Sequence, residues 1–236
     1  MEQILIIDIS HWQGRLNMQK LKDFGVSAVI AKAGQWYQGA EYDDDKFDYN
    51  MTELEKIGLP HGMYYFYHPK AGNSKQLRHF SRLWNSRRQD FPAFLDCEAH
   101  DGLPPAEVDR QTRVMLEGMA DIMGRQPVIY TSPGYWNSRA YNPGWSDEYA
   151  FWVAQYPKLE SKLFKNVILH QFTDKGKIPG CPVLDMNYWL AGEEAFREYT
   201  QTTMPPEKIA ENRIKRNIFA LSKANRRWIE ENLGKI

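Results

Sequence analysis

A distorted, TIM-like (β/α) barrel with incomplete helices in its C-terminal half is the fold this sequence predicts. Two patterns lead to it. Short β-branched or aromatic runs alternate with amphipathic stretches along the first half of the chain, as βα units and a largely parallel sheet require. Acidic residues then recur where the apolar runs end, as they do on the carboxyl-terminal rim of a barrel. A length of 236 residues suits one such barrel, or one domain with an appendage, and suffices to bury a large core.

In chain order the strands are expected over residues 4–8, 28–33, 62–67, 93–98, 127–131, 151–155, 167–171 and 183–186. Helical patterns fill 18–24, 46–57, 74–88 and 105–123. The last opens with Pro105 in its first turn and stops before Gly124, the usual asymmetry of helix start and stop. Between the later strands the connections are too short, or too rich in Pro and Gly, for full helices, so the barrel is irregular there. After about residue 200 the character changes: Met204, Pro205 and Pro206 precede a stretch in which Lys and Arg outnumber Glu by eight to four. Ile209, Ile214, Ile218, Leu221, Trp228 and Ile229 supply an apolar stripe. We therefore expect a barrel over 1–200 and a basic helical C-terminal extension over 201–236, packed on the barrel or touching an anionic wall polymer or membrane.

The most informative residues are Asp96 and Glu98. Alternation along a strand turns both to one side and Cys97 to the other. Two carboxylates so close repel, and apolar surroundings disfavour charge further, so one holds a proton near neutral pH while the other stays anionic. An acid beside an anion suits cleavage of a glycosidic bond. The bland alternative is a strand ending in solvated charges or a pair held by Lys or Arg. Asp8 is expected at the end of the first strand and Asp185 at the end of the last; closing a barrel makes them neighbours across the pocket from Glu98. Each alone fits a turn or a cap, but four converging carboxylates are hard to attribute to solubility.

Composition narrows the partner. Thirty basic and thirty acidic residues cancel, which removes any global electrostatic case for nucleic acid. Eight Trp and thirteen Tyr supply flat rings that suit sugar faces as well as core packing. Two cysteines, Cys97 and Cys181, make neither a disulfide framework nor a zinc site and are expected as free thiols. The acids Asp43, Asp44 and Asp45 sit where a helix start already favours negative charge, so no metal is expected. His11 beside Ser10 orders a loop or touches substrate; it lacks the surroundings of a Ser/His nucleophile. No leader pattern opens the chain, and none of its apolar runs approaches ~18 residues.

The motifs resemble glycoside hydrolase family 25, lysozymes of the Chalaropsis type. The resemblance runs in order through IDISHWQG at 7–14, AVIAKAGQ at 28–35, GMYYFYHP at 62–69, AFLDCE at 93–98, PVIYTSPGYW at 127–136, FWVAQYP at 151–157 and HQFTDKGKIPGCPVLDMNYW at 170–189. It implies an N-acetylmuramidase that cuts the β-1,4 bond between N-acetylmuramic acid and N-acetylglucosamine in peptidoglycan with retention and without a cofactor. Carried over residue by residue, Glu98 is the general acid. Asp96 is its partner, orienting the sugar's 2-acetamido group or shielding the oxocarbenium charge, and substrate assistance removes the need for a nucleophile ~5–5.5 Å from the acid. Asp8 and Asp185 hold substrate and tune the pair. Tyr64, Tyr130, Trp152 and Gln171 line the cleft, with Trp12 and Lys32 completing the substrate-binding set. Tyr65, where relatives commonly carry His, and HQFT in place of Trp-Gln-Tyr depart from the family pattern.

A chitinase-like acetamido-sugar hydrolase and a catalytically silent wall-binding module remain as alternatives. A monomer is expected, made in the cytoplasm and acting on the wall after phage lysis or specialised secretion; the second route would imply a cognate inhibitor.

Overall fold

The computed structural model describes residues 3–139 and 144–200. The expected extension over 201–236 lies outside the described residues. Eight strands close into a barrel: β1 (Leu5–Ile9), β2 (Val26–Tyr37), β4 (His61–Phe66), β5 (Phe94–Asp96), β6 (Val128–Thr131), β7 (Ala150–Ala154), β8 (Val167–Gly176) and β9 (Leu184–Trp189). They run in the spatial order β1-β9-β8-β7-β6-β5-β4-β2, and β2 pairs back onto β1 to close the ring. A further strand, β3 (Ala40–Asp43), hangs as a hairpin on the end of β2 and had no counterpart in the sequence reading. Gly34 lets that hairpin form, since a Cβ there would lie 2.5 Å from the Tyr42 carbonyl oxygen.

The expected parallel sheet holds from β1 through β2 and β4 to β8, but β9 runs antiparallel to both its neighbours. A parallel crossover takes a dozen or more residues. The link over 177–183, with Pro179, Gly180 and Pro182, is too short for one, so the chain turns straight back. The consequence corrects the sequence reading of Asp185. It lies at the beginning of its strand, and the reversed direction puts that beginning on the rim where the other strands end.

The helices α1 (Met18–Phe24), α2 (Phe47–Ile57), α3 (Asn73–Ser86) and α4 (Pro105–Met123) match the expected pattern closely. Asn17 accepts the Lys20 N–H ahead of α1, and α4 ends on Gly124 at φ 72°, a left-handed position that suits glycine. Among the described residues of the C-terminal half, only a short α5 (Pro133–Arg139) and a 3-10 turn at Gly144–Glu148 appear before β7. Helix α6 (Gly192–Thr200) was not anticipated.

Alternation along the strands separates two cores. Ile7, Ile9, Ala31, Met63, Leu95, Cys97, Ile129 and Val153 face outward under the helices, while Ile6, Ala28, Ile30, Phe94, Val128 and Trp152 fill the barrel. Phe196 and Tyr199 of α6 pack edge-on against Trp189, and Phe196 against Phe91, which plugs the lower end. Among the described residues, the acidic strand ends gather at the opposite end of the barrel, around a pocket. Among the described residues, no helix is long and apolar enough to cross a membrane.

Candidate active site

Strand β1 carries Ile6 and Asp8 inward, and β9 sets Asp185 directly opposite Asp8 in register. Across the mouth, β5 brings in Asp96. The strand was expected to continue through Glu98 but ends at Asp96. The chain nonetheless stays extended, because the Tyr67 N–H donates to the Asp96 carbonyl at 3.0 Å and the Cys97 N–H to the Tyr130 carbonyl at 2.8 Å. Thr131 Oγ1 then donates to the Cys97 carbonyl at 2.9 Å and the Tyr135 hydroxyl to the Ala99 carbonyl at 2.7 Å. Alternation survives past the strand end: Cys97 is buried in the outer core, while Asp96 and Glu98 share one pocket.

That pocket is lined by Asp8, Tyr64, Asp96, Glu98, Tyr130, Trp152, Tyr156, Gln171 and Asp185. Eight of the ten residues anticipated from sequence thus meet. Trp152 is buried as its floor, with Tyr130, Phe94 and Tyr64 around it at ring-centroid distances of 4.4, 5.4 and 6.3 Å. Tyr156 was missed, although it follows a strand end in the quoted FWVAQYP. Its hydroxyl and that of Tyr130 both donate to Gln171 Oε1. Gln171 Nε2 in turn donates to Asp8 Oδ2 at 3.0 Å, and Asn187, also missed, donates to the same oxygen at 2.7 Å.

Burial raises all four acids. Asp8 is pushed up to about 7 by burial and by Asp185, against the hydrogen bonds of Asn187 and Gln171. Asp185 rises to about 6 through burial and Asp174. Asp96 stands well above the ordinary range because burial and Glu98 outweigh Lys32, with Asp8 adding to the rise. Glu98 is raised by burial and by Asp185, with Lys32 opposing. Its side chain is exposed at the mouth, yet enough protein surrounds the carboxylate to thin its hydration. The sequence reading left Asp96 anionic. In the free pocket, however, the deeper Asp96 competes for the proton, and its buried Oδ1 has no hydrogen-bond partner among the described residues. None of the ion pairs among the described residues involves these four acids.

Lys32 and Trp12 lie outside the lining. Lys32 Nζ donates to Gln35 Oε1 at 2.8 Å and sits 4.9 Å from the centre of the Phe66 ring, and its charge reaches Asp96, Asp44 and Glu98. Trp12 projects from a 3-10 turn just after β1, 83% exposed, with His11 beside it at 4.7 Å. His11 Nδ1 and the His11 N–H both meet Asp44 Oδ2, at 2.7 and 3.0 Å, so this histidine orders the loop. Asp44 also accepts the Lys46 N–H ahead of α2, and Asp43 pairs with Arg82. Among the described residues no group of three or more His, Cys, Asp or Glu is placed to hold a metal. Tyr65 turns away from the pocket and meets His79 at 3.1 Å, so that departure from the family pattern leaves the cleft untouched.

The model of glycosyl hydrolases family 25 matches residues 7–181. Lysozyme M1 of Streptomyces globisporus is 29% identical over 191 residues, covering 74% of this chain and 63% of its own length. An N,O-diacetylmuramidase of Chalaropsis sp is 27% identical over 144 residues, covering 56% and 67%. This chain therefore spans just under two thirds of the Streptomyces relative. A bacterial lysozyme structure from Streptomyces coelicolor aligns with a TM-score of 0.73 at 25% identity, covering 86% of this chain and all of that one. A family 25 glycosyl hydrolase structure from Bacillus anthracis shares the fold at a TM-score of 0.74 and 21% identity, covering 84% and 93%. The family match begins one residue before the first cleft acid and ends at Cys181, so it takes in every residue lining the pocket except Asp185, which follows four residues later: the chain belongs to glycosyl hydrolase family 25.

Proposed function

We propose that this chain hydrolyses the β-1,4 bond between N-acetylmuramic acid and N-acetylglucosamine in peptidoglycan, with Glu98 as general acid and Asp96 assisting. The observation that carries the reading is one polar pocket in which two inward carboxylates, free of any ion pair among the described residues, face a second pair on β1 and β9. The lysozyme and muramidase names of the relatives support it.

The chemistry follows from where protons are held. Asp96 Oδ1 is a buried acceptor that an acetamido N–H would satisfy; accepting that bond favours the carboxylate and leaves the pair's proton to Glu98. Glu98 delivers that proton to the glycosidic oxygen as the bond to C1 breaks, and the leaving sugar departs as an alcohol. The acetamido carbonyl oxygen bonds to C1 from the other face. Water then attacks C1, the Glu98 carboxylate takes its proton, and the acetamido group and the acid are both restored with configuration retained.

Mass spectrometry of fragments released from purified peptidoglycan tests the assignment. Muramic acid at the new reducing ends is the expected result. Glucosamine-type reducing ends, or faster cleavage of soluble chitin oligomers, would overturn it in favour of another acetamido-sugar hydrolase; binding to sacculi without release of reducing sugar would make the pocket a recognition site. We extend the proposal to a catalytic unit over 1–200 and a basic segment over 201–236 that adds affinity for anionic wall polymer. Removal of 201–236 should then weaken wall binding in low salt while leaving cleavage of short glycans intact.

A further inference from the structure

Asn187 lies two residues beyond Asp185 on β9 and is fully buried. Two of its partners have only one hydrogen-bonding role. The Trp152 indole N–H can only donate, and it donates to Asn187 Oδ1 at 2.6 Å. The Ile6 carbonyl can only accept, and it receives a hydrogen bond from Nδ2 at 3.2 Å. Together they fix which way the amide faces, so its other N–H is committed to Asp8 Oδ2. Gln171 is not committed in this way. Its Oε1 meets the hydroxyls of Tyr130 and Tyr156, which can donate or accept, so a turned Gln171 would still be satisfied at that end.

We propose that Asn187 is a positioning residue that biases Asp8 toward its ionised, accepting form, with Trp152 as the buried post that stops its amide from turning. The inference rests on the hydrolase reading of the pocket. The groups facing Asp8 explain why such a device is needed. Asp185 lies opposite on β9, and Asp96 on β5 and Glu98 just after it complete the acids. Tyr64 on β4, Tyr130 on β6 and Tyr156 after β7 bring only neutral phenols, and the charge of Lys32 on β2 is directed at Asp96 and Glu98. Burial and the neighbouring Asp185 oppose the ionisation of Asp8; the amides of Asn187 and Gln171 oppose that drift. The further Asp8 is biased toward its ionised form, the more a proton entering the pocket is left to the other acids.

The test is a carboxyl-carbon NMR titration of Asp8 in the full chain, its signal assigned by loss in Asp8→Asn, alongside the pH profile of kcat/KM on purified peptidoglycan. In Asn187→Leu, with the fold verified by circular dichroism, the Asp8 midpoint should rise by about one pH unit or more. The acidic limb of kcat/KM should rise with it, so that the deficit against the parent shrinks toward alkaline pH. Trp152→Phe keeps the amide but removes its post, and should move both readings the same way by less; it serves where Asn187→Leu does not fold. An unmoved Asp8 midpoint, or an equal loss at every pH, would overturn the proposal and leave Asn187 a packing residue. If the parent protein releases no reducing sugar from peptidoglycan, the hydrolase reading falls, while the titration still decides whether Asn187 favours the ionised form of Asp8.

Discussion

The two acidic clusters near the barrel mouth contrast sharply. At the cleft, Asp8, Asp96, Glu98 and Asp185 lack ion-pair partners among the described residues, and burial raises them all. On the β2–β3 hairpin, Asp43 accepts from Arg82 at 2.9 and 2.5 Å and lies 2.7 Å from His79 Nε2, and the Arg82 guanidinium holds its carboxyl below the ordinary range. His79, fully buried on α3, passes the link on to Tyr65. The same residue type fastens a hairpin in one place and is left under electrostatic stress in the other. Such stress is tolerated where charge is to be used.

The comparison is sharpened most by Glu98→Gln. Activity should fall by about 10²–10⁴-fold or more while the fold and glycan binding persist, because the amide has no proton to give. Single-turnover release of reducing sugar measures it, and near-normal wall lysis would remove Glu98 from its role. Asp96→Asn should cost about 10²-fold through a misplaced acetamido group; unchanged turnover on purified peptidoglycan would exclude that positioning.

Stability divides the clusters by sign. Asp43→Asn should lower stability by about 1 kcal/mol, the exposed pair being screened by water. Its folded pKa is depressed, so the contribution is present above the unfolded value and lost as pH falls through the folded one. Thermal melts at pH 7 and pH 2–3 would show a deficit at the first that narrows at the second, with lysis rates near the parent's. A loss of activity matching that of Glu98→Gln would erase the distinction between the clusters.

Asp185→Asn should act oppositely. With a pKa raised to about 6, the carboxylate costs stability as pH climbs from the unfolded value of 3.8, and the cost is complete above the folded one. Removing the charge should gain about 1 kcal/mol at pH 8 after allowing for solvent at this half-open site, or ~2–4 °C in Tm, and nothing near pH 3. A variant that melts lower at pH 8 would mean that Asp185 is structural. The smallest effect belongs to Tyr65→Phe, which leaves buried His79 without its phenol and should cost about 1 kcal/mol or less, independent of substrate.

Much of this was legible along the chain because alternation is a local rule. Asp96, Cys97 and Glu98 divide between pocket and outer core as their spacing requires, and the division survives even though the strand stops at Asp96. Pro105 and Gly124 bound α4 as expected. Asn187 carried a usable signal, since it shares the face of Asp185 two residues away. Strand β3 and its clip did not, because pairing Asp43 with Arg82 and His79 joins residues 36 or more apart in sequence whose meeting depends on how α3 packs.

The sequence by itself determined the barrel class, the strands that bring acids to the rim and the side each acid faces, since these follow from hydrophobic period and strand-end position. Tertiary structure alone decided that β9 runs backward, which turns the beginning of a strand into a rim and sets Asp185 against Asp8. It also decided which acids are paired and which stand alone, because burial and partners come from distant elements packing together. That difference in surroundings, not in residue type, separates the carboxylates that fasten this fold from those that face its pocket.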